Sequence, residues 1–335
     1  MRILILGGTR LTGPHIVHEL AQAGHEVTVF HRGQTEAALA ESARHMHGDR
    51  GQMRRFVEEF KRISPEVVVD MLAFTRQDAE MLVQTFKGIA GRVVVASSID
   101  VYRAFGRLHG TELGAPDPIP LTEQAPLRSK LSVQGEAYEK RWVEEVVLNH
   151  PDLPGTALRL PAIYGPGDYR PYYYLKKMND GRPFILLDER LAQWQFSRGY
   201  SENVAHAVVL AATNPRASGR IYNVADEPTL AQMEWIELIA QAAGWNGEIL
   251  TAPPSRLPDH LVRKEYLEQH WVVDTGRIRE ELGFGERIAP AEAMRRTLAW
   301  IQANPLDREE EEKLFDPQEY NYPAEDEAIR KLMEE

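Results

Sequence analysis

The sequence predicts an α/β fold, a doubly wound parallel sheet with a smaller, mixed C-terminal region. Two observations carry this. Short apolar runs rich in β-branched residues alternate with amphipathic stretches through the first half of the chain. That is the pattern of strands buried on both faces and joined by crossover helices. The first run also feeds the first amphipathic stretch through a glycine-rich turn beginning at Gly7.

The elements follow in order. Residues 3–6, 27–30, 67–71 and 93–96 read as buried parallel strands, with another at 156–160. Residues 14–23 and 53–63 have helical periodicity, and Gly24 closes the first of these helices. His45 and His47 alternate on a strand-like stretch, and the scattered histidines offer no metal-ligand spacing with a third ligand nearby. Residues 103–134 are polar, rich in Gly and Pro and aperiodic; a loop that long in a compact domain is usually functional. Residues 135–148 read as a helix, and Asn203 as the cap of a later one. The boundary is expected near residue 165. This gives a nucleotide-binding unit over 1–165, a substrate-binding region over 166–306 that crosses back to the sheet, and an acidic tail over 307–335.

Composition narrows the function. The chain has 335 residues, 43% of them hydrophobic, and no cysteine. Disulfides, thiolate catalysis and cysteine metal sites are therefore excluded, and a cytoplasmic location is expected. No apolar run reaches the roughly 18 residues of a membrane span. The net charge is −11, and residues 307–335 carry 12 acidic and 4 basic side chains, so the tail holds −8 and the body −3. Such a tail reads as a solvated, partly disordered end. A near-neutral body argues against nucleic acid as a partner, because phosphate contacts need a basic surface.

Gly7, Gly8, Thr9, Arg10, Leu11, Thr12 and Gly13 lie between the first strand and the first helix. A strand feeding a helix through such a turn points free backbone N–H groups at an anion, so the loop reads as the pyrophosphate cradle of a dinucleotide. Gly7 permits the turn, Gly8 a close approach, and Gly13 tight packing of the helix. The second strand ends in Phe30-His31-Arg32-Gly33 with no acid to hold a ribose 2′-hydroxyl. Arg32 and Arg10 could instead grip a 2′-phosphate. NADP is the expected cofactor, with NAD the alternative. Asp49 is placed either to meet the adenine edge or to cap its loop.

These residues, with Ser97-Ser98-Ile99-Asp100-Val101-Tyr102 and the run Leu158 to Gly167, resemble the extended, atypical short-chain dehydrogenase/reductases of the epimerase/dehydratase superfamily. The resemblance covers most of the chain and implies a Rossmann-type fold, a small-molecule substrate that is sugar-like or nucleotide-linked, and a homodimer. It adds His31, Leu72, Ala73, Pro161 and Ile163 to the expected cofactor contacts. In that family a Ser/Thr orients the substrate oxygen, a Tyr is the acid/base, and a Lys four residues later lowers its pKa and holds the ribose.

Ser98 matches the Ser/Thr position. The Tyr–Lys pair has two alternative registers. If Lys140 is the family lysine, Glu136 stands where the tyrosine belongs; if Tyr138 is the tyrosine, Trp142 stands where the lysine belongs. On a regular helix Tyr138 and Lys140 would point roughly 200° apart. The reading favours Lys140 as the ribose contact, with Glu136 or Asp100 as a non-standard acid/base. Tyr102, Tyr164, Tyr169, Arg170 and Tyr200 are the expected substrate contacts. A non-catalytic NADP-binding regulatory or RNA-associated protein is the alternative function.

Overall fold

The computed structural model describes residues 1–35 and 39–334. Eleven strands among these follow in chain order: β1 (Arg2–Leu6), β2 (Glu26–His31), β3 (Arg44–His47), β4 (Val67–Asp70), β5 (Arg92–Ser98), β6 (Gly155–Leu160), β7 (Ala162–Tyr164), β8 (Phe184–Asp188), β9 (Arg198–Tyr200), β10 (Ile221–Asn223) and β11 (Glu248–Ala252). Seven of them form one parallel sheet in the order β10-β6-β5-β4-β1-β2-β3. Strand order reverses between β1 and β4. In an open α/β sheet, that reversal opens a crevice at the carboxyl ends of the strands.

Alternate residues of each central strand serve opposite faces. Ile3, Ile5, Val67 and Val69 pack with Ile16, Val17 and Leu20 of the helix Gly13–Gln22 and with Val204 and Val208 of the helix Ser201–Thr213. Leu4, Leu6, Val68 and Val93 pack on the other side with Phe60, Leu82, Phe86 and Val143. Burial on both faces explains why these strands read as unbroken apolar runs. β7 pairs with β9 and β8 with β11, both parallel, outside the main sheet. The chain then returns to supply β10, next to β6 at the edge.

Four expectations are corrected. The helical stretch at 53–63 divides into a 3₁₀ segment Arg50–Phe56 and the helix Val57–Ile63. The helix expected over 135–148 begins only at Lys140. Gly135 has φ +68, Gly135–Ala137 makes a 3₁₀ turn, and Tyr138 and Glu139 are extended at φ −147 and −137. The cause is tertiary: the fully buried Glu139 carboxylate is held by Arg128 at 3.1 Å and Arg141 at 2.9 Å, and it accepts from the Arg141 N–H as the helix cap. Asn203 is the third residue of its helix, not its cap, and its side chain ties Asp226 to the backbone at Arg287 and Ile288.

The acidic tail is folded, with Glu325, Ala328 and Ile329 buried and most of its other residues exposed. Helices Arg308–Leu314 and Tyr322–Met333 form, and Ala328 and Ile329 pack with Leu186, Leu257 and Leu261. Glu325 accepts from Lys177 Nζ at 2.6 Å with both side chains essentially inaccessible. The final residue of the 307–335 range lies outside the described residues.

Candidate active site

The glycine turn forms the floor of a groove of about 480 Å³ over the carboxyl ends of β1, β2 and β4. Gly7 and Gly8 have φ +95 and +83. A Cβ on Gly13 would lie 2.3 Å from the Gly8 Cα, so only glycine lets the helix start against the loop. Among the described residues no hydrogen bond engages the amides of residues 8–12, and the buried Thr12 Oγ1 has no partner. This is the donor set an anion needs. Leu72 packs on Gly7, where an added Cβ would come within 2.9 Å of it.

His31 and Arg32 line the groove at the end of β2, Arg32 being exposed. Arg10 Nε donates to Thr35 Oγ1 at 3.3 Å, which brings the second arginine to the same end. Asp49 lines the groove and also accepts from the Gly51 N–H at 2.8 Å, capping the following turn.

Lys140 Nζ is buried and donates to the carbonyls of Ala73 at 2.6 Å and Ala96 at 2.8 Å, at the ends of β4 and β5. It lies 4.4 Å from the centre of the Phe74 ring and 5.5 Å from that of Tyr138. Burial lowers its pKa to about 8. The sequence places Tyr138 on the wrong side of a regular helix; the extended backbone at 138 and 139 removes that objection. The Tyr138 ring stacks on Phe74 at 5.7 Å, and the Ser98 and Asp100 side chains are near enough to its phenol to bias its proton. Burial raises the Tyr138 phenol, and the adjacent Asp100 carboxylate raises it further. Asp100 is itself buried and raised by desolvation, and its Oδ1 has no partner. Glu136, by contrast, sits exposed on the 3₁₀ turn.

Phe74 borders the groove and carries the Tyr138 ring stacked on it. On the far side, Trp271 Nε1 donates to the Ile99 carbonyl at 3.1 Å, next to Ser98. Trp271 is a wall of a second cavity of about 360 Å³, lined by Tyr164, Arg170, Tyr174, Trp194, Phe196, Arg198 and Trp235 among others. Ser98, Asp100 and Tyr138 line neither cavity; Tyr138 touches the groove's wall through Phe74, and Ile99, beside Ser98, touches the second cavity's wall through Trp271. Arg198 is the notable wall residue. Its guanidinium lies 5.0 Å from the Phe196 ring centre and 4.5 Å from that of Trp235, and it donates to Gln232 at 2.5 Å. No carboxylate pairs with it among the described residues, and burial lowers its pKa to about 10.

Of the expected substrate contacts, Tyr164 and Arg170 face this second cavity. Three do not. Tyr102 is fully buried, with its hydroxyl bonded to Asn223 at 2.6 Å and Arg159 at 2.9 Å. Tyr169 donates to the Asn304 carbonyl at 2.7 Å, and Tyr200 packs against Tyr164 and reaches Glu202 at 3.2 Å. Each has its polar tip engaged elsewhere, as buried aromatics require. Pro161 packs against Gly199, and the Ile163 carbonyl accepts from Arg170.

The profile of the NAD dependent epimerase/dehydratase family matches residues 3–225, which include the glycine turn, Ser98, Tyr138 and Lys140. The chain belongs to this family. As a member of the NAD dependent epimerase/dehydratase family it is an NAD(P)-binding oxidoreductase-type enzyme with a Rossmann fold. It is similar to 2′-dehydrokanamycin reductase of Streptomyces kanamyceticus, 28% identical over 302 residues covering 87% of this chain and 80% of that protein. It is also similar to the chloroplast stem-loop binding protein of 41 kDa b of Arabidopsis thaliana, 24% identical over 84% of this chain and 74% of that one. MoeE5, solved with UDP-glucose and NAD, superposes with a TM-score of 0.65 at 20% identity, over 90% of this chain and 99% of its own. No helix among the described residues is long and apolar enough to cross a membrane.

The sequence missed the support beneath the groove. Arg50 is buried and pairs with Asp70 and, at 2.7 Å, with Asp78. Asp70 accepts from the Leu72 N–H, and Asp78 from those of Phe74 and Thr75. This fixes the loop that carries Leu72, the Ala73 carbonyl and Phe74. Gly48-Asp49-Arg50 showed only as a loop, because its partners lie 20 and 28 residues away. Nothing local in the sequence marks Arg198 as lacking a counter-charge.

Proposed function

We propose that the chain is an NADP-preferring enzyme that moves a hydride to or from an oxygen-bearing carbon of a small, sugar-like or nucleotide-linked substrate, with Tyr138 as acid/base. The observation that carries this is Lys140 Nζ 5.5 Å from the centre of the Tyr138 ring, which stacks on the Phe74 wall of a groove whose glycine turn presents unengaged amides. When bound, the nicotinamide supplies the hydride chemistry. The amides of residues 8–12 would hold the pyrophosphate, and Arg32 with Arg10 the 2′-phosphate.

Each side chain then has a task. Ser98 holds the substrate oxygen. Tyr138 gives or takes its proton, with Asp100 behind it as the group that exchanges that proton onward. Lys140 is locked by two carbonyls, so its remaining N–H points its charge toward the phenol and the ribose. Arg198, desolvated and without a counter-charge, suits an anionic group such as a substrate phosphate. Glu136 is left outside the chemistry.

The test begins with calorimetric titration of NADP, NADPH, NAD and NADH into wild type and Arg32→Ala. The phosphorylated pair should bind more tightly, and Arg32→Ala should weaken that pair alone. Turnover is then followed by nicotinamide fluorescence on a panel of keto-sugars and nucleotide-linked sugars. Tyr138→Phe should lower it by about 10²–10⁴-fold with cofactor affinity intact, and Glu136→Gln should leave it unchanged. The reverse result would overturn the assignment. A non-catalytic, cofactor-binding regulatory or RNA-associated role is the second reading, prompted by the likeness to the chloroplast protein; it would leave cofactor binding intact with turnover absent throughout the panel. The homodimer through the helix Lys140–Leu148 is part of the same reading and is checked by light scattering.

A further inference from the structure

Three imidazoles meet at the free edge of the main sheet. β3 is the edge strand, and His45 and His47, two apart, point to the same face. His31 ends β2 as the register partner of His47. The ring centres lie 5.1 Å apart for His31–His45, 4.9 Å for His31–His47 and 6.4 Å for His45–His47. One nitrogen from each ring falls within 4.8 Å of the other two. Spacing along the chain could not show this, because the third ring arrives from the neighbouring strand.

We propose that His31, His45 and His47 form a binding site for one divalent transition-metal ion, Zn²⁺ foremost. Three neutral nitrogen donors suit zinc, nickel or copper and are a poor set for the oxygen-seeking Mg²⁺ and Ca²⁺. The site is nearly assembled. His31 Nε2 and His45 Nδ1 are 2.9 Å apart. Coordination at about 2.0–2.1 Å on a tetrahedron sets nitrogens about 3.3 Å apart, so the rings need to part by a few tenths of an ångström. The Gly33 N–H donates to His31 Nδ1 at 3.2 Å, so the proton of the neutral ring resides on Nε2. Ligation through Nε2 moves that proton to Nδ1 and turns the Gly33 N–H to solvent, which an exposed glycine allows. Ligation through Nδ1 replaces the Gly33 contact directly.

His31 is buried and the other two are exposed, so a fourth coordination position stays open to water or to an incoming oxygen. The ion would join β2 to the four-residue edge strand and anchor the turn at His31–Thr35, which lines the cofactor groove. Metal binding of this kind adds its free energy to the fold.

The experiment uses the full chain without an affinity tag, stripped with chelator. Zn²⁺ is titrated by calorimetry and Co²⁺ by its visible absorption, on wild type, His45→Gln, His47→Gln and the double variant. The expected result is one ion per chain and an intense cobalt band of tetrahedral type. Each single variant should lose affinity by on the order of 100-fold, and the double variant should lose the band. Both substituted positions are exposed, and a melting curve of the metal-free variants matching wild type shows that they fold. Absence of stoichiometric binding to wild type overturns the proposal. So does binding that survives the double variant, which would place the ion elsewhere, for example at the N-terminal amine and His25 Nδ1, 3.2 Å apart.

Discussion

Tyr138 and Lys140 show how much chemistry depends on two backbone angles. Helical periodicity separates side chains two apart; extended φ values at 138 and 139 bring Lys140 Nζ within 5.5 Å of the centre of the Tyr138 ring. The strand-end placement of Ser98 and of the glycine turn was legible in the sequence because it is set locally. The placement of Tyr138 was not, because it depends on Gly135 at φ +68 and on the buried ion pairs of Glu139 with Arg128 and Arg141. Another residue makes a testable pH dependence. Asp226 accepts from the Tyr200 N–H at 2.8 Å and Asn203 at 3.1 Å, yet burial raises its pKa to about 7. An unfolded Asp loses its proton near pH 4. Between about pH 4 and 7 the folded chain therefore holds a proton that the unfolded chain has released. Stability from this group falls as pH rises through that window. Asp226→Asn should flatten that slope in urea unfolding measured from pH 4 to 8; an unchanged slope would exclude the residue as its source.

Among the elements, the strands of the main sheet were the most legible, since burial on both faces writes itself as continuous apolar runs. The C-terminal tail was the least. Its charge pattern outweighed a short apolar stripe of Ala328 and Ile329, and its decisive contact pairs Lys177 with Glu325, 148 residues on. His260 adds a second contact to the same carboxylate at 3.2 Å. A buried pair is of modest net worth while intact, but removing one partner strands the other. Glu325→Ala should cost about 3–5 kcal/mol in chemical unfolding. Limited proteolysis should then release the helix Tyr322–Met333 first. A loss under about 1 kcal/mol would show that the tail is docked by its apolar contacts alone.

At the scale of the molecule, a polar spine joins regions distant in sequence. Arg159 on β6 binds Glu144 through two contacts at 2.9 and 2.7 Å, the Tyr102 hydroxyl at 2.9 Å and the Glu123 carbonyl at 3.0 Å. Tyr102 passes the connection to Asn223 on β10, which also bonds the carbonyls of Leu121 and Asp274. The sheet, the long loop and the returning C-terminal segment thus share one network. Thermal unfolding should follow a single cooperative transition. Arg159→Met, which leaves Glu144 buried without its partner, should lower stability by about 3–5 kcal/mol without splitting that transition. Two separate transitions in the variant would show that the spine, rather than the apolar core, couples the halves.

The two-residue step from Tyr138 to Lys140 reaches beyond this one chain. A search for the signature Tyr-x-x-x-Lys would pass over this pair, because its tyrosine and lysine stand two residues apart. A meeting of two side chains in space is not fixed by letter spacing, and a helix that starts late can bring together residues that such a search would keep apart.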